Sequence, residues 1–233
     1  MPQPEKSIIF DKVEVVIDGQ AVLRPLSLRL TERRIGLIGA NGSGKSSFIR
    51  LINGLLPPSA GHISVDGLAL PRDKAAVRRK VGFVFQNPDM QIIQPTVAED
   101  IAFGLHNLRR PKAEIAARVG AIMAEYGLTP FADSPARILS GGQKQLLALC
   151  GVLVMQPEII VLDEPTTQLD LRHKNRMANL LRTLPQRLII VTHDMALLAG
   201  FDRVLVMDKG QIIYDGTPPQ SIVFYEELIK ARP

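Results

Sequence analysis

The feature that most constrains this chain is the run Gly39-Ala40-Asn41-Gly42-Ser43-Gly44-Lys45-Ser46, which fits the phosphate-binding loop pattern G-x-x-x-x-G-K-[ST] without a mismatch. Arg34 to Ile38 is an apolar, β-favouring run that reads as a buried strand, and Ser46 to Ile52 reads as an amphipathic helix opening directly after the loop. Strand, loop and helix therefore stand in the order that a nucleoside-triphosphate site needs. The glycines let successive backbone N–H groups converge on phosphate oxygens, at a helix N-terminus whose dipole already favours an anion. In that arrangement Lys45 reaches the β- and γ-phosphates, the Ser46 hydroxyl takes one Mg²⁺ position, and Ser47 shares the same first turn.

With 233 residues, 46% hydrophobic and 22% charged, the chain has room for one large domain or one domain with an inserted lobe. The net charge of +5 suits nucleic acid, an anionic membrane surface or a nucleotide, and does not choose among them. Its densest basic cluster, Arg72 to Lys80, lacks the interleaved aromatics of a single-strand binder, so it reads as a solvated or partner-facing helix and no nucleic-acid partner is expected. The single cysteine, Cys150, excludes an internal disulfide and fits a reducing compartment. Met1 to Lys6 has no apolar segment of signal-peptide length, and no run approaches the roughly 18–20 apolar residues of a membrane span. Work at a membrane then has to be done through a partner.

Along the chain, Ile8 to Phe10, Val13 to Ile17, Val22 to Leu30 and Ile35 to Ile38 form a β-rich layer feeding the loop, with a turn at Asp18-Gly19. His62 to Val65 reads as a short strand with His62 exposed, and Val81 to Phe85 as a buried strand ending on Gln86. Residues 97–106 and 112–126 read as helices without a strand between them, which predicts a helical lobe set into an α/β core. Leu139 to Gln145 leads into an apolar helix, Leu146 to Met155. Strands follow at Glu158 to Leu162, Leu188 to Val191 and Val204 to Met207, with a helix over about 171–183, a hairpin at Lys209-Gly210 and a short helix from Ser221 to Arg232.

Asp163 follows four aliphatic residues, which places a carboxylate at the tip of a buried strand where it holds Mg²⁺. Glu164 then stands beside the attacking position, where a carboxylate orients and polarises water. His193 ends the next strand on the same edge, ready to donate to the γ-phosphate or to position Glu164. Gln86 ends a strand too, and its amide suits an Mg²⁺ or water contact. Ser140-Gly141-Gly142-Gln143 at a helix start is a second anion cradle. One nucleotide does not need two cradles from one chain, so this one is expected to serve the nucleotide of another copy.

Taken together, the phosphate loop, Gln86, Leu139 to Gln143, the strand ending Asp163-Glu164 and His193 resemble the ATP-binding cassette ATPases in motif type and order, over about residues 8–217. Thr167-Gln168-Leu169-Asp170 resembles that family's D-loop. The resemblance implies a phosphate-loop NTPase core with an antiparallel β layer and an inserted helical lobe: a single domain over 1–233, core about 1–87 and 156–220, lobe about 88–155, C-terminal helix about 221–232. It also implies a head-to-tail homodimer with ATP and Mg²⁺ held between the phosphate loop of one copy and the Ser140 segment of the other, and Glu164 as general base. The family usually places an adenine-stacking aromatic where this chain has Ile17.

Gln86 to Gln91 followed by Pro95 to Gly104 resembles the ATPases of energy-coupling-factor importers for vitamins and for cobalt or nickel. Those ATPases often carry a longer C-terminal extension, whereas this chain stops soon after Glu226-Glu227-Leu228, a compact form most like the ATPase of biotin importers. The implied partners are an integral transmembrane subunit and a small-molecule-binding membrane subunit, and the implied location is the cytoplasmic face of the membrane. An unrelated phosphate-loop kinase has no use for Ser140 to Gln143. Soluble cassette proteins of DNA repair or translation usually carry two cassettes or a large inserted coiled coil, for which this chain has no room.

Overall fold

A computed structural model of the protein describes residues 6–167 and 169–231. The N-terminal residues 1–5, Gln168 of the D-loop-like segment, Arg232, where the sequence reading ends the C-terminal helix, and Pro233 lie outside them. The apolar runs ahead of the phosphate loop form β1 (Ile8–Ile17), β2 (Gln20–Leu30) and β3 (Arg34–Gly39). β1 pairs antiparallel with β2 and, on its other edge, with β4 (Ala60–Val65), which pairs with β5 (Leu68–Leu70) to complete a four-stranded antiparallel sheet. β3 belongs to a second sheet with β6 (Val81–Val84), β7 (Ile159–Asp163), β8 (Arg187–Val191), β9 (Arg203–Asp208) and β10 (Gln211–Gly216). The order is β10-β9-β3-β8-β7-β6, parallel throughout except for the β9–β10 hairpin.

A parallel sheet covered on both faces needs uninterrupted apolar strands, and β7 shows why. Its side chains alternate: Ile159 and Val161 pack toward the antiparallel sheet, while Ile160 and Leu162 pack toward the helical side. Between the two sheets runs α1 (Lys45–Ile52), with Phe48 stacked on Phe10 at 4.7 Å between ring centroids. The phosphate loop is thus wedged between a strand and a helix that are both fully packed.

The remaining helices are α2 (Lys74–Lys80), α3 (Val97–Asn107), α4 (Lys112–Tyr126), α5 (Gly141–Leu153), α6 (Leu171–Thr183) and α7 (Pro218–Lys230). α3, α4 and α5 share a core made by Ile101, Leu105, Val119, Met123 and Leu149, which continues into the helical face of the large sheet. Several boundaries differ from the sequence reading. α5 starts at Gly141, not Leu146, because Ser140 and Gln143 close a capping box there. α7 starts at Pro218, not Ser221, since proline suits the first helical turn. β5 is only three residues long and carries no periodic signal. On the basic helix Arg78 and Arg79 are exposed, and two of its cations also reach the core: Arg78 donates to Asn53 O and Gly54 O at the end of α1, and Lys80 pairs with Glu158 at 3.1 Å. His62 is exposed on β4, as its position predicted.

Candidate nucleotide site

The N-terminus of α1 is left open by its own chain. α3 and α5 close their first turns with capping boxes, Thr96 with Glu99 and Ser140 with Gln143, whereas α1 has Gly44 at its N-cap and no side-chain cap. Gly44 is required twice over: its φ is 102°, and a Cβ there would come within 2.7 Å of Leu23 Cδ2 and 2.9 Å of Val22 O. The uncapped turn faces a cavity of about 390 Å³ whose lining includes Gly42 to Ser47, Gln86, Asp163, Glu164 and His193. Asn41 also lines it, while Gly39 and Ala40 stand behind the loop. Lys45, only 7% exposed, donates from Nζ to Gly39 O at 2.7 Å and to Ala40 O at 2.8 Å. Burial lowers its ammonium pKa below the usual lysine value, with Glu164 and Asp163 opposing.

The carboxylates arrive from β7. Ser46 Oγ donates to Asp163 Oδ1 at 3.2 Å, and burial raises the Asp163 carboxyl above its ordinary range against that hydrogen bond. The next residue turns sharply: Glu164 sits at φ 50°, held by its N–H donating to Val191 O at 2.9 Å. Glu164 Oε2 accepts from Thr167 Oγ1 and from His193 N, each at 3.1 Å. His193 Nε2 lies 3.1 Å from Glu164 Oε1 but off the hydrogen-bonding direction, so Oε1 is buried without a hydrogen bond among the described residues.

Those groups fit MgATP. Ser43 Oγ is likewise buried without a partner and lines the same cavity, a hydroxyl able to donate to a phosphate oxygen, while Glu164 Oε1 keeps its lone pairs for the proton of a water. Ser46 and Asp163 offer a hydroxyl and a carboxylate oxygen. Mg²⁺ takes few protein ligands and completes its octahedron with water and phosphate.

The Ser140 segment, expected to serve the nucleotide of another copy, lies apart from this cavity. Ser140 and Gln143 line a different one, of about 660 Å³, together with Arg172, His173 and Arg176. Ile17 does not line the nucleotide cavity, which Val22 reaches from the same hairpin. Sequence reasoning placed Thr167 in the D-loop-like segment but missed its bond to Glu164, although a hydroxyl three residues after Glu164 has the spacing of a turn that bonds back. It also missed the fasteners of the segment after Gln86. Gln91 accepts from Phe85 N and donates to Ala148 O, Asp89 pairs with Lys144 at 2.7 Å, and Asp100 accepts from Ile93 N and Gln94 N.

Comparison with known proteins agrees with this geometry. Residues 23–167 match the family described as ABC transporter. A Deinococcus radiodurans protein whose description stops at ABC transporter ATP-binding protein is 58% identical over 90% of this chain and 93% of its own length. The biotin transport ATP-binding protein BioM of Rhizobium etli is 45% identical over 95% of this chain and 99% of its own length. The energy-coupling factor transporter ATP-binding protein EcfA of Methanocaldococcus jannaschii is 42% identical over 92% of this chain and 80% of its own length. In structure, cbiO1 from Clostridium perfringens, described as part of the ABC transporter complex cbiONQ, superposes with a TM-score of 0.83 at 32% identity, over 97% of this chain and 94% of that one.

Proposed function

Because this chain belongs to the ABC transporter family, as an ATPase subunit of the energy-coupling-factor type, we propose that it hydrolyses MgATP at the Lys45–Glu164 cavity to drive uptake of a vitamin, biotin first. The observation that carries the chemistry is Glu164: a buried carboxylate beside the cavity, pinned on one oxygen by Thr167 and the His193 backbone, with the other oxygen buried and without a hydrogen bond among the described residues. In this reading the open turn of α1 and Lys45 bind the phosphates, and Ser46 and Asp163 hold Mg²⁺, which when bound neutralises charge on the transferring phosphoryl group. Glu164 Oε1 receives a proton from the attacking water, and His193 keeps Glu164 in place while facing the γ-phosphate side. Gln86 stands at the cavity's edge to sense that phosphate. The alignment with BioM across nearly its full length supports biotin.

The division into a core (1–87 and 156–220) and a helical lobe (88–155) supports a transport role for the segment that joins them. The three apolar residues after Pro88 divide: Ile92 packs against the core, whereas Met90 is 75% and Ile93 58% exposed. Exposed apolar groups fastened to α5 through Gln91 and Lys144 suit docking of a transmembrane subunit. No described helix is long and apolar enough to cross a membrane, so a membrane partner has to supply the passage. A second copy, head to tail, completes each nucleotide site with its Ser140 segment. The test is to isolate the protein with its partners from detergent-solubilised membranes and to measure uptake of labelled biotin, cobalt and nickel by cells with and without the wild-type chain. Chain-dependent biotin uptake supports the proposal; chain-dependent metal uptake alone replaces biotin by cobalt or nickel.

A further inference from the structure

The two glycines of the second cradle differ in what surrounds them. A Cβ on Gly141 would meet nothing within 4 Å, whereas one on Gly142 would strike His173 Cδ2 and lie 2.5 Å from Cγ and 2.9 Å from Nε2. Gly142 is not among the glycines with positive φ, so its backbone does not demand glycine. The imidazole lying over it does. That ring is itself held: Asp170 Oδ1 accepts from His173 N at 2.8 Å while capping α6, and both Asp170 oxygens lie 2.9 Å from His173 Nδ1. One turn further along α6, Arg176 donates to Tyr126 O, the last residue of α4, at 2.9 Å. α6 therefore touches the helical lobe at two points, the first turn of α5 and the last turn of α4.

The same helix leads back to the chemistry. Asp170 follows Leu169, whose N–H donates to Thr166 O, and Thr167 donates to Glu164 Oε2. We propose that His173 is a positioning residue: its ring, anchored by Asp170, clamps the first turn of α5 at Gly142 and holds the Ser140 cradle in register with the segment that carries Glu164. The inference rests on the reading that the Ser140 cradle completes the site of a second copy. It adds that the cradle's placement is set by α6 of its own chain, so that the half-site offered to a partner and the base of the chain's own site ride on one connected segment.

The experiment uses the full chain carrying Glu164→Gln, with ATP-driven dimerisation followed by light scattering and ATP binding to the monomer followed by titration. His173→Ala is expected to weaken dimerisation about tenfold while monomer ATP affinity changes by less than about twofold, the size of one contact's coupling. Gly142→Ala alone is expected to abolish dimerisation, and Gly142→Ala with His173→Ala to recover part of it, because the added methyl then has room. That recovery shows the ring lying over Gly142; the loss of dimerisation in His173→Ala at unchanged monomer ATP affinity is the readout that a merely structural role would not produce. His173→Asn, which retains a planar N–H donor for Asp170 and is far less disruptive, is expected to fall between His173→Ala and the parent, and it carries the test if His173→Ala fails to fold. Unchanged dimerisation in both His173 variants, with Ser140→Ala still defective, overturns the clamp and leaves the two-copy reading intact. Unchanged dimerisation in Ser140→Ala as well removes both.

Discussion

The phosphate loop and the Ser140 segment are both glycine-rich turns at helix N-termini, yet the chain treats them in opposite ways. At the first, no side chain caps α1, the neighbouring hydroxyl of Ser43 has no partner, and Lys45 is held back by two carbonyls behind the loop. At the second, Ser140 Oγ accepts from Gln143 N and Gln143 Oε1 accepts from Ser140 N, so the turn is satisfied without a ligand. The first mixes buried Ser43 and Lys45 with exposed Asn41 and Gly42, while at the second Ser140 and Gly141 are both exposed. An uncapped N-terminus beside a buried lysine is suited to bind an anion in the monomer. A self-capped, exposed one is stable alone and can add its donors to a site that another molecule brings. On the proposed two-copy reading, the pair accounts for ATP binding by one chain and hydrolysis only with a second.

The largest effect expected to sharpen this contrast is that of Glu164→Gln. The amide keeps the hydrogen bonds to Thr167 and His193 N within reach but cannot accept the proton, so hydrolysis should fall by about 10²- to 10⁴-fold. ATP affinity should hold, and an ATP-bound dimer should accumulate because both cradles keep the same nucleotide. Hydrolysis at the wild-type rate in the assembled transporter would take Glu164 out of the role of base.

Next in size is a pair of variants that separates the cradles. Lys45→Ala removes a charge-assisted contact to the phosphates, on the order of 1.5–3 kcal/mol, and should weaken ATP binding to the monomer by roughly 10- to 100-fold. Ser140→Ala should leave that monomer affinity alone, cost about 1 kcal/mol of stability as a lost helix cap, and impair ATP-driven pairing. Isothermal titration of monomer and light scattering with ATP read the two properties separately. Equal damage to monomer binding by both variants would dissolve the distinction.

A third expectation concerns the exposed patch joined to the lobe. Met90→Asp and Ile93→Asp introduce charge at positions 75% and 58% exposed, so folding should change by less than about 0.5 kcal/mol. Co-purification with the membrane subunit should be lost while nucleotide binding persists. Retained co-purification in the double variant moves the docking surface elsewhere, and loss of folding would show that these residues pack the lobe after all.

How much of this was legible in the sequence follows from where each signal lives. The phosphate loop, the run Ile159 to Asp163 and the position of His193 are contiguous patterns with a strand on one side, and the parallel sheet requires such runs on both faces. Periodicity places α3, α4 and α6 closely because each presents one apolar face to a core. The contacts that orient the site are different in kind. Gln91 to Ala148 O, Arg176 to Tyr126 O and His173 over Gly142 each join a side chain to backbone 31 to 57 residues away in sequence or pack it there, and no local spacing encodes them. Val22 was hidden for a related reason: it belongs to a strand that looks like ordinary β layer until the hairpin folds over Gly44.

The smallest expected effect tests the base end of the first cradle. Ile17 closes β1, pairs with Gln20 across the hairpin turn and is 43% exposed, so a larger side chain there meets no core. The hairpin itself is fixed beside the loop: Arg24 N donates to Gly210 O at 2.9 Å, Gly210 N donates to Ser43 O at 2.9 Å, and Leu23 covers Gly44. Ile17→Tyr therefore adds a ring on the hairpin whose Val22 lines the cavity. An aromatic contact with a purine is worth on the order of 1 kcal/mol, which is about a fivefold tighter Kd. The gain should appear for ATP more than for GTP, measured by competition against a fluorescent nucleotide, and should leave Lys45→Ala as defective as before, because phosphate and base are held by separate parts. If Ile17→Tyr changes neither nucleotide, the purine sits against Val22 instead, and Val22→Ala should then weaken ATP and GTP alike.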